Sequence, residues 1–407
     1  MDHILLDTFV NLAIISLLIA IAPIIAKASR IPIVVVEMCL GCVGLYFGIF
    51  ESSESLALLA KVGFLFLMFL CGMEVDLRGF QNLGKKFIKN VIIYLVVLYG
   101  ISVAVVLALG LNKIFIAAFP VMSLGMIMTL IKDYGKDKQW LELALRVGVV
   151  GEVVSIAALT LINGIYHYGN SWKLYENLAV LCVFILGIVG LFWIFKILFW
   201  WFPTLKLYAM PYDDLSNQDI RFVMMLFVML IALVLFLDLE PALGAFLAGM
   251  IVTIFFSYKH EMVHKLNDIG FGFFVPLFFV YVGSTLDLRL IGQNLTFILH
   301  GAYIALGMIT IRYVAANVAF RKYFKHPRDV ALFALSDSMP LTFLVATAKI
   351  ASDWNAITQE VYYTFILAAM IEGVVFSIII KMIYNLWKPK NLQNPQNLKN
   401  PQNPKNP

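Results

Sequence analysis

The chain has 407 residues, of which 62% are hydrophobic and only 14% charged, and its mean hydropathy is +0.90. Soluble chains run at roughly 45–50% apolar and about 25% charged, so a water-soluble globule cannot hide this much apolar surface. Soluble enzymes, nucleic-acid binders and secreted disulfide scaffolds are excluded, and a net charge of +5 is too small to imply a polyanionic partner.

A helix needs roughly 20 apolar residues to cross about 30 Å of hydrocarbon. Such runs lie near 4–26, 32–50, 56–75, 87–110, 113–131, 139–163, 174–202, 220–238, 241–257, 268–286, 294–320, 328–349 and 358–387. The expected fold is an all-α polytopic membrane protein of about thirteen spans, with the whole of 1–387 as one membrane domain. Met1-Asp2-His3 carries no basic n-region, so the first run is expected to be retained as a span. Cys39, Cys42, Cys71 and Cys182 all fall in apolar runs and are expected to pack between helices rather than hold a metal.

An odd number of spans puts the termini on opposite sides. With the C-terminus inside, the inner loops hold 23 of the 30 Lys and Arg residues and the outer loops 5, as cytoplasmic loops do. The expected setting is a bacterial inner membrane, with the N-terminus outside and the C-terminus cytoplasmic. After the spans, residues 388–407 turn to Asn, Pro, Gln and Lys; they have nothing to bury and are expected to be a disordered tail.

The chain also resembles itself. Glu37-x-x-Leu40-Gly41 returns as Glu240-x-x-Leu243-Gly244, Gly72-x-x-x-Asp76-Leu77-Arg78 as Gly283-x-x-x-Asp287-Leu288-Arg289, and Glu152-Val-Val-Ser155 more loosely around Glu372–Ser377. The matches are collinear and lie seven spans apart, so the second copy crosses the membrane in the opposite sense. Repeat one is placed at about 1–165, a linker helix at 174–202 and repeat two at 220–387. Inverted repeats of this kind are a recurrent construction of secondary transporters.

Charges inside the membrane are expensive and mark candidate sites. Glu152 lies near the middle of its span, with Gly148, Gly151 and Ser155 making a small, polar face beside it. It is either a binding carboxylate for an ion or proton, or a permanently protonated structural acid. Arg312, deep in span 11, either snorkels inward or pairs with a buried carboxylate, with Glu152 the favoured partner. Arg146 lies four residues after Glu142 and is expected to pair with it. Glu372 stands between a functional and a structural reading, and Glu37, Glu74 and Asp76 are expected to be solvated or capping. Spans 5 and 12 carry helix breakers: Pro120 before Ser123-Leu124-Gly125, and Ser336-Asp337-Ser338-Met339-Pro340. Irregular backbone at membrane depth survives only where protein buries it or it lines a cavity. The broken ends are expected to approach each other near Glu152 and to offer free carbonyls and amides to an ion, with Asp337 either a second acid there or a cap.

Phe64-Leu-Phe-Leu-Met-Phe-Leu-Cys-Gly-Met-Glu-Val-Asp-Leu77, Val275-Pro-Leu-Phe-Phe-Val-Tyr-Val-Gly-Ser-Thr-Leu-Asp-Leu288 and the span-6 acid resemble the monovalent cation:proton antiporter-2 family, which includes Kef-type potassium efflux proteins. The resemblance covers about 4–385, the membrane domain without a C-terminal nucleotide-binding domain. It implies two crossed discontinuous helices, here spans 5 and 12, and a homodimer. By position, Glu152 matches the family's ion-carrying aspartate and Arg312 its span-11 lysine or arginine. The chain departs from the family at Gly151, where a polar or acidic residue is common, and at Asp337–Pro340, where Kef-type proteins carry Gly-Glu-Phe. The expected activity is antiport of Na⁺ or K⁺ against H⁺, probing no enzyme chemistry and needing no cofactor. Glu152 would hold a proton or, transiently, the metal ion, with Ser155, Ser123 and Asp337 beside it, Arg312 as charge partner and Glu372 as a secondary acid. One titrating acid beside an arginine implies electroneutral exchange. A gated cation efflux channel and an organic-anion/sodium symporter of similar fold are the alternatives.

Overall fold

The computed structural model describes residues 2–29, 31–51, 53–74, 84–135, 137–168, 171–202, 204, 217–256 and 259–386. The tail at 388–407 and Asp76 lie outside them. Among the described residues the secondary structure is helical, with no strand. The first helices are α1 (Asp2–Ser29), α2 (Ile33–Tyr46), α3 (Glu54–Met73) and α4 (Lys85–Leu109). A broken pair follows, α5 (Phe115–Ala118) and α6 (Leu124–Tyr134), then α7 (Gln139–Tyr168) and α8 (Trp172–Trp201). The second half holds α9 (Gln218–Phe236), α10 (Pro241–Phe256), and α11 (His260–Ile269) joined through a π-helical turn (Gly270–Phe274) to α12 (Val275–Ser284). After the short α13 (Leu288–Gln293) come α14 (Thr296–Phe320) and the second broken pair, α15 (Pro327–Asp337) and α16 (Leu341–Asp353). The last pass is α17 (Gln359–Ile371), a π-helical turn (Glu372–Phe376) and α18 (Ser377–Leu386).

Seven described helical stretches are long and apolar enough to cross a membrane on their own. With the broken and shorter helices, the described residues form thirteen helical passes through the bundle. Both breaks fall where proline removes a backbone donor and crowds the preceding turn. The π turn before α12 has the same cause, since Pro276 cannot donate to the carbonyl four residues back. Capping is local: Ser53 accepts from the Leu56 amide (3.2 Å) and Asp287, of the repeated Asp-Leu-Arg motif, from the Arg289 amide (2.8 Å). The linker α8 is about 45 Å long at ~1.5 Å per residue, a full bilayer with headgroups. Its exposed Trp172, Tyr175, Trp200 and Trp201 sit at its two ends, where aromatic side chains anchor in the interface.

Two helix crossings form the centre of the packing. Where α2 meets α12, a Cβ on Gly41 would strike the Val280 carbonyl and one on Gly283 the Met38 carbonyl. Where α3 meets α10, a Cβ on Gly72 would strike the Phe246 carbonyl and one on Gly249 the Phe69 carbonyl. Glycine lets the backbones touch, as small residues do between membrane helices. The two crossings exchange when α3 is laid on α12 and α10 on α2, as an inverted repeat requires. Gly72 then matches Gly283, as the sequence indicates, but Gly41 matches Gly249 rather than Gly244. The Glu37–Glu240 likeness is therefore out of register.

Glu37 is also not solvated: it is 2% exposed, because α2 crosses α12 one turn further on. Cys42 and Cys71 are buried between helices as expected, whereas Cys39 and Cys182 are exposed, on the outward sides of α2 and α8. Arg146 donates to Glu142 at 2.6 Å, the expected i,i+4 pair.

Substituting Gly72 or Gly283 by Val should destabilise the purified protein by at least ~1–3 kcal/mol, the usual cost of overpacking. Gly187→Ala, where nothing lies within 4 Å of the new atom, should leave the thermal unfolding midpoint in detergent unchanged.

Candidate functional site

α7 packs against α5, α6 and α15, and the two broken pairs touch each other. The expected junction is therefore formed, and its polar groups sort by helix end. Arg312, on α14, is fully buried. Its guanidinium donates from Nη1 to the Phe119 carbonyl (2.6 Å) and from Nη2 to the Val121 carbonyl. These two carbonyls flank Pro120, where the chain has left α5. Nε lies 3.3 Å from Asp337 Oδ2, and Asp337 is the last residue of α15. Tyr94 Oη, from α4, donates to the same Oδ2 at 2.6 Å. One cation thus sits on the carbonyl-bearing ends of both broken helices, where the helix dipole favours positive charge.

This arrangement corrects two expectations. Arg312 pairs with Asp337 and not with Glu152. The carbonyls at the span-5 break are engaged by the guanidinium rather than free for an ion. Asp337 is a second buried acid, but its partners are Arg312 and Tyr94 rather than the α15 backbone: Oδ2 is taken by those two and Oδ1 has no partner.

Glu152 is fully buried, and neither carboxyl oxygen has a hydrogen-bond partner in the structure. The polar groups that reach it are the Cys71 thiol, the Leu124 backbone amide and, at longer range, the carboxyl of Glu74. Leu124 opens α6, so the acid faces a helix N-terminus, the end that favours negative charge. Glu74, expected to be solvated or capping, is the C-cap residue of α3 and half-buried.

The small face beside Glu152 is not open space. A Cβ on Gly151 would run into the Met122 side chain, and one on Gly148 would press on Leu124 and Ile127. Ser155 Oγ accepts from the Met122 amide (3.1 Å) and donates to the Gly151 carbonyl (2.7 Å). Its hydroxyl thus holds the break in place. Ser123 is buried at the N-cap of α6, in extended conformation, without a side-chain cap bond. Glu372 is fully buried with both oxygens unpartnered, and the charge that acts on it is Arg312. Ser377 donates to the Gly373 carbonyl (2.6 Å), as Ser155 does to Gly151, and lies 3.7 Å from Met339 Sδ, where Ser155 instead accepts from the Met122 amide. That correspondence sets Val374, not Glu372, opposite Glu152 in the repeat.

Sequence reasoning passed over Tyr94 and Cys71. A hydroxyl on an aromatic ring inside an apolar run is a signal, because a buried Tyr hydroxyl finds a partner. Cys71 carries no such signal. Toward the side that the charge count places outside, a cavity of about 760 Å³ lies between α3, α10, α12 and α16, lined by Glu54, Lys61, Glu240, Tyr281, Lys349 and Asp353.

The sodium/hydrogen exchanger transmembrane family matches residues 14–386. The chain belongs to that family. It is therefore a transporter and not an enzyme. Over 409 aligned residues it is 25% identical to YjbQ of Bacillus subtilis, provisionally named a Na⁺/H⁺ antiporter, covering 92% of this chain and 63% of that one. It is 23% identical to the Na⁺/H⁺ antiporter NhaS4 of Synechocystis, covering 82% of this chain and 83% of that one. The sodium proton antiporter MjNhaP1 of Methanocaldococcus jannaschii shares the fold, with a TM-score of 0.60 over 93% of this chain and 97% of that one at 13% identity.

Removing one partner of a buried ion pair costs about 3–5 kcal/mol, because the other charge is stranded. Arg312→Ala should therefore destabilise strongly, and Asp337→Asn in the same chain should recover part of the loss. Thermal unfolding of the two single variants and the double variant reads this directly, and strictly additive losses would dissolve the pair.

Proposed function

We propose that this protein exchanges a monovalent cation, Na⁺ or K⁺, for H⁺ by competition at Glu152. The observation that carries the reading is the separation of charges. Arg312 is committed to Asp337 and to the two carbonyls beside Pro120, which leaves Glu152 buried without a counter-charge. A carboxylate stranded at membrane depth is costly, so a proton or an alkali cation must neutralise it. One carboxyl cannot hold both, and that exclusion couples the two flows. Arginine does not release a proton near neutral pH, so one acid exchanging one proton for one univalent ion moves no net charge.

The helix dipole of α6 at Leu124 lowers the cost of the charged form, and the Cys71 thiol stands close enough to share the task of replacing water. Glu372 is a neutral structural acid in this cycle, and Ser155 and Ser123 shape the break. The names of the relatives support antiport. The Phe64–Leu77 and Val275–Leu288 motifs support a place in the cation:proton antiporter-2 branch. The lysine and arginine count supports an inner-membrane protein with its N-terminus outside, and the resemblance to that branch supports a homodimer. The outer cavity, with acids and lysines intermixed, is the aqueous approach on that side.

In proteoliposomes, Glu152→Gln should reduce cation-driven proton movement to the protein-free background, with the protein still folded and monodisperse. Full exchange by that variant refutes the assignment. Arg312→Lys should keep part of the activity, because one ammonium can serve Asp337 but not both carbonyls as well.

A further inference from the structure

The second large cavity, of about 1020 Å³, lies between the C-terminal end of α1 and α18, on the side that the charge count places inside. Its wall is apolar, with Met126 and Leu130 from α6 and Ile378 and Met382 from α18. Ile378 is 53% and Met382 58% exposed, so this wall is open to the membrane. At its rim stand Lys27 from α1 and Lys381 from α18. Among the described residues, neither lysine has a hydrogen bond or ion pair, and none of the residues lining the cavity is acidic. Lys138, on the same side, is bound to Asp137 at 2.7 Å. The outer cavity differs: there Lys349 is paired with Asp353 at 2.7 Å, and Glu54 and Glu240 line the same space.

Two uncompensated ammonium groups on separate helices, above an apolar wall at the membrane interface, are complementary to one kind of ligand. We propose that this crevice binds an anionic phospholipid, its phosphate held between Lys27 and Lys381 and its acyl chains against Met126, Leu130, Ile378 and Met382. Basic pockets between membrane helices on the cytoplasmic side hold lipid headgroups by this combination of charge and apolar contact. The lipid would join α1 to α18 across a gap that the protein does not fill, and it would lie against α6, whose first residue faces Glu152. The proposal does not depend on the exchange reaction, and its test reads binding alone.

The test uses the full chain, purified and delipidated in a neutral detergent. Added phosphatidylglycerol should raise the thermal unfolding midpoint and appear as a retained adduct in native mass spectrometry, whereas phosphatidylcholine should do neither. Lys27→Gln with Lys381→Gln should weaken phosphatidylglycerol binding by about 30-fold, from about fivefold for each lysine near an anionic surface. Lys138→Gln should leave it unchanged. If the double variant does not fold, Met382→Glu, which sets an acid at the rim, should produce the same loss. Undiminished binding in these variants overturns the proposal. Equal stabilisation by phosphatidylcholine, or by inorganic phosphate alone, overturns it too, since the first needs no lysines and the second no apolar wall.

Discussion

The architecture depends on one buried guanidinium that ties together two interrupted helices. Burying a cation this deeply is unfavourable unless its donors are met in good geometry. Arg312 approaches that condition with hydrogen bonds to carbonyls on both sides of Pro120 and an ion pair to Asp337 at the end of α15. A rigid planar fork suits three acceptors arranged around it in a way that a single ammonium does not. The tyrosine that binds the same carboxylate oxygen, Tyr94, comes from a fourth helix, so the junction is held from several directions. Its consequence for chemistry is indirect. With the cation consumed by the helix ends, the remaining deep acid on α7 has only a thiol, an amide dipole and a distant carboxyl for company.

Around this polar junction the packing is dry and close. The two glycine crossings bring backbone against backbone, and Phe66, Phe69, Phe227 and Phe274 fill the space beside them with ring centroids 5.3–5.7 Å apart. Close packing of this kind has discrete arrangements rather than continuous give. The irregular backbone lies at the two breaks around the junction and at two π turns, Gly270–Phe274 and Glu372–Phe376. Such π turns are frequent at functional sites.

Much of this was legible in the residues. Pro120 and Pro340 announce the breaks because a missing amide cannot be hidden in a helix. Glu142 and Arg146 announce their pair because i,i+4 spacing is fixed by helix geometry. The depth of Glu152 follows from counting residues along a span. Partner choice does not follow, because it depends on which spans are neighbours. Arg312 could be assigned an acid on depth alone, and Glu152 and Asp337 are both deep. The repeat register at α2 and α10 escapes the sequence for a related reason. A Glu and a Gly at matching spacing are visible in sequence, while the glycine that must admit a neighbouring backbone is visible only once the crossing is built. The burial of Glu37 belongs to the same crossing. The π turn at Glu372 has no proline to announce it.

The claim at the centre of this account is that a proton and a metal ion exclude each other at a single uncompensated carboxyl. Calorimetry of the purified protein, with Na⁺ or K⁺ added in two buffers of different ionisation heat, measures how many protons leave as the metal arrives. The account expects close to one proton released per cation bound, and none when residue 152 is glutamine. Cation binding of ordinary strength with no proton released would contradict it.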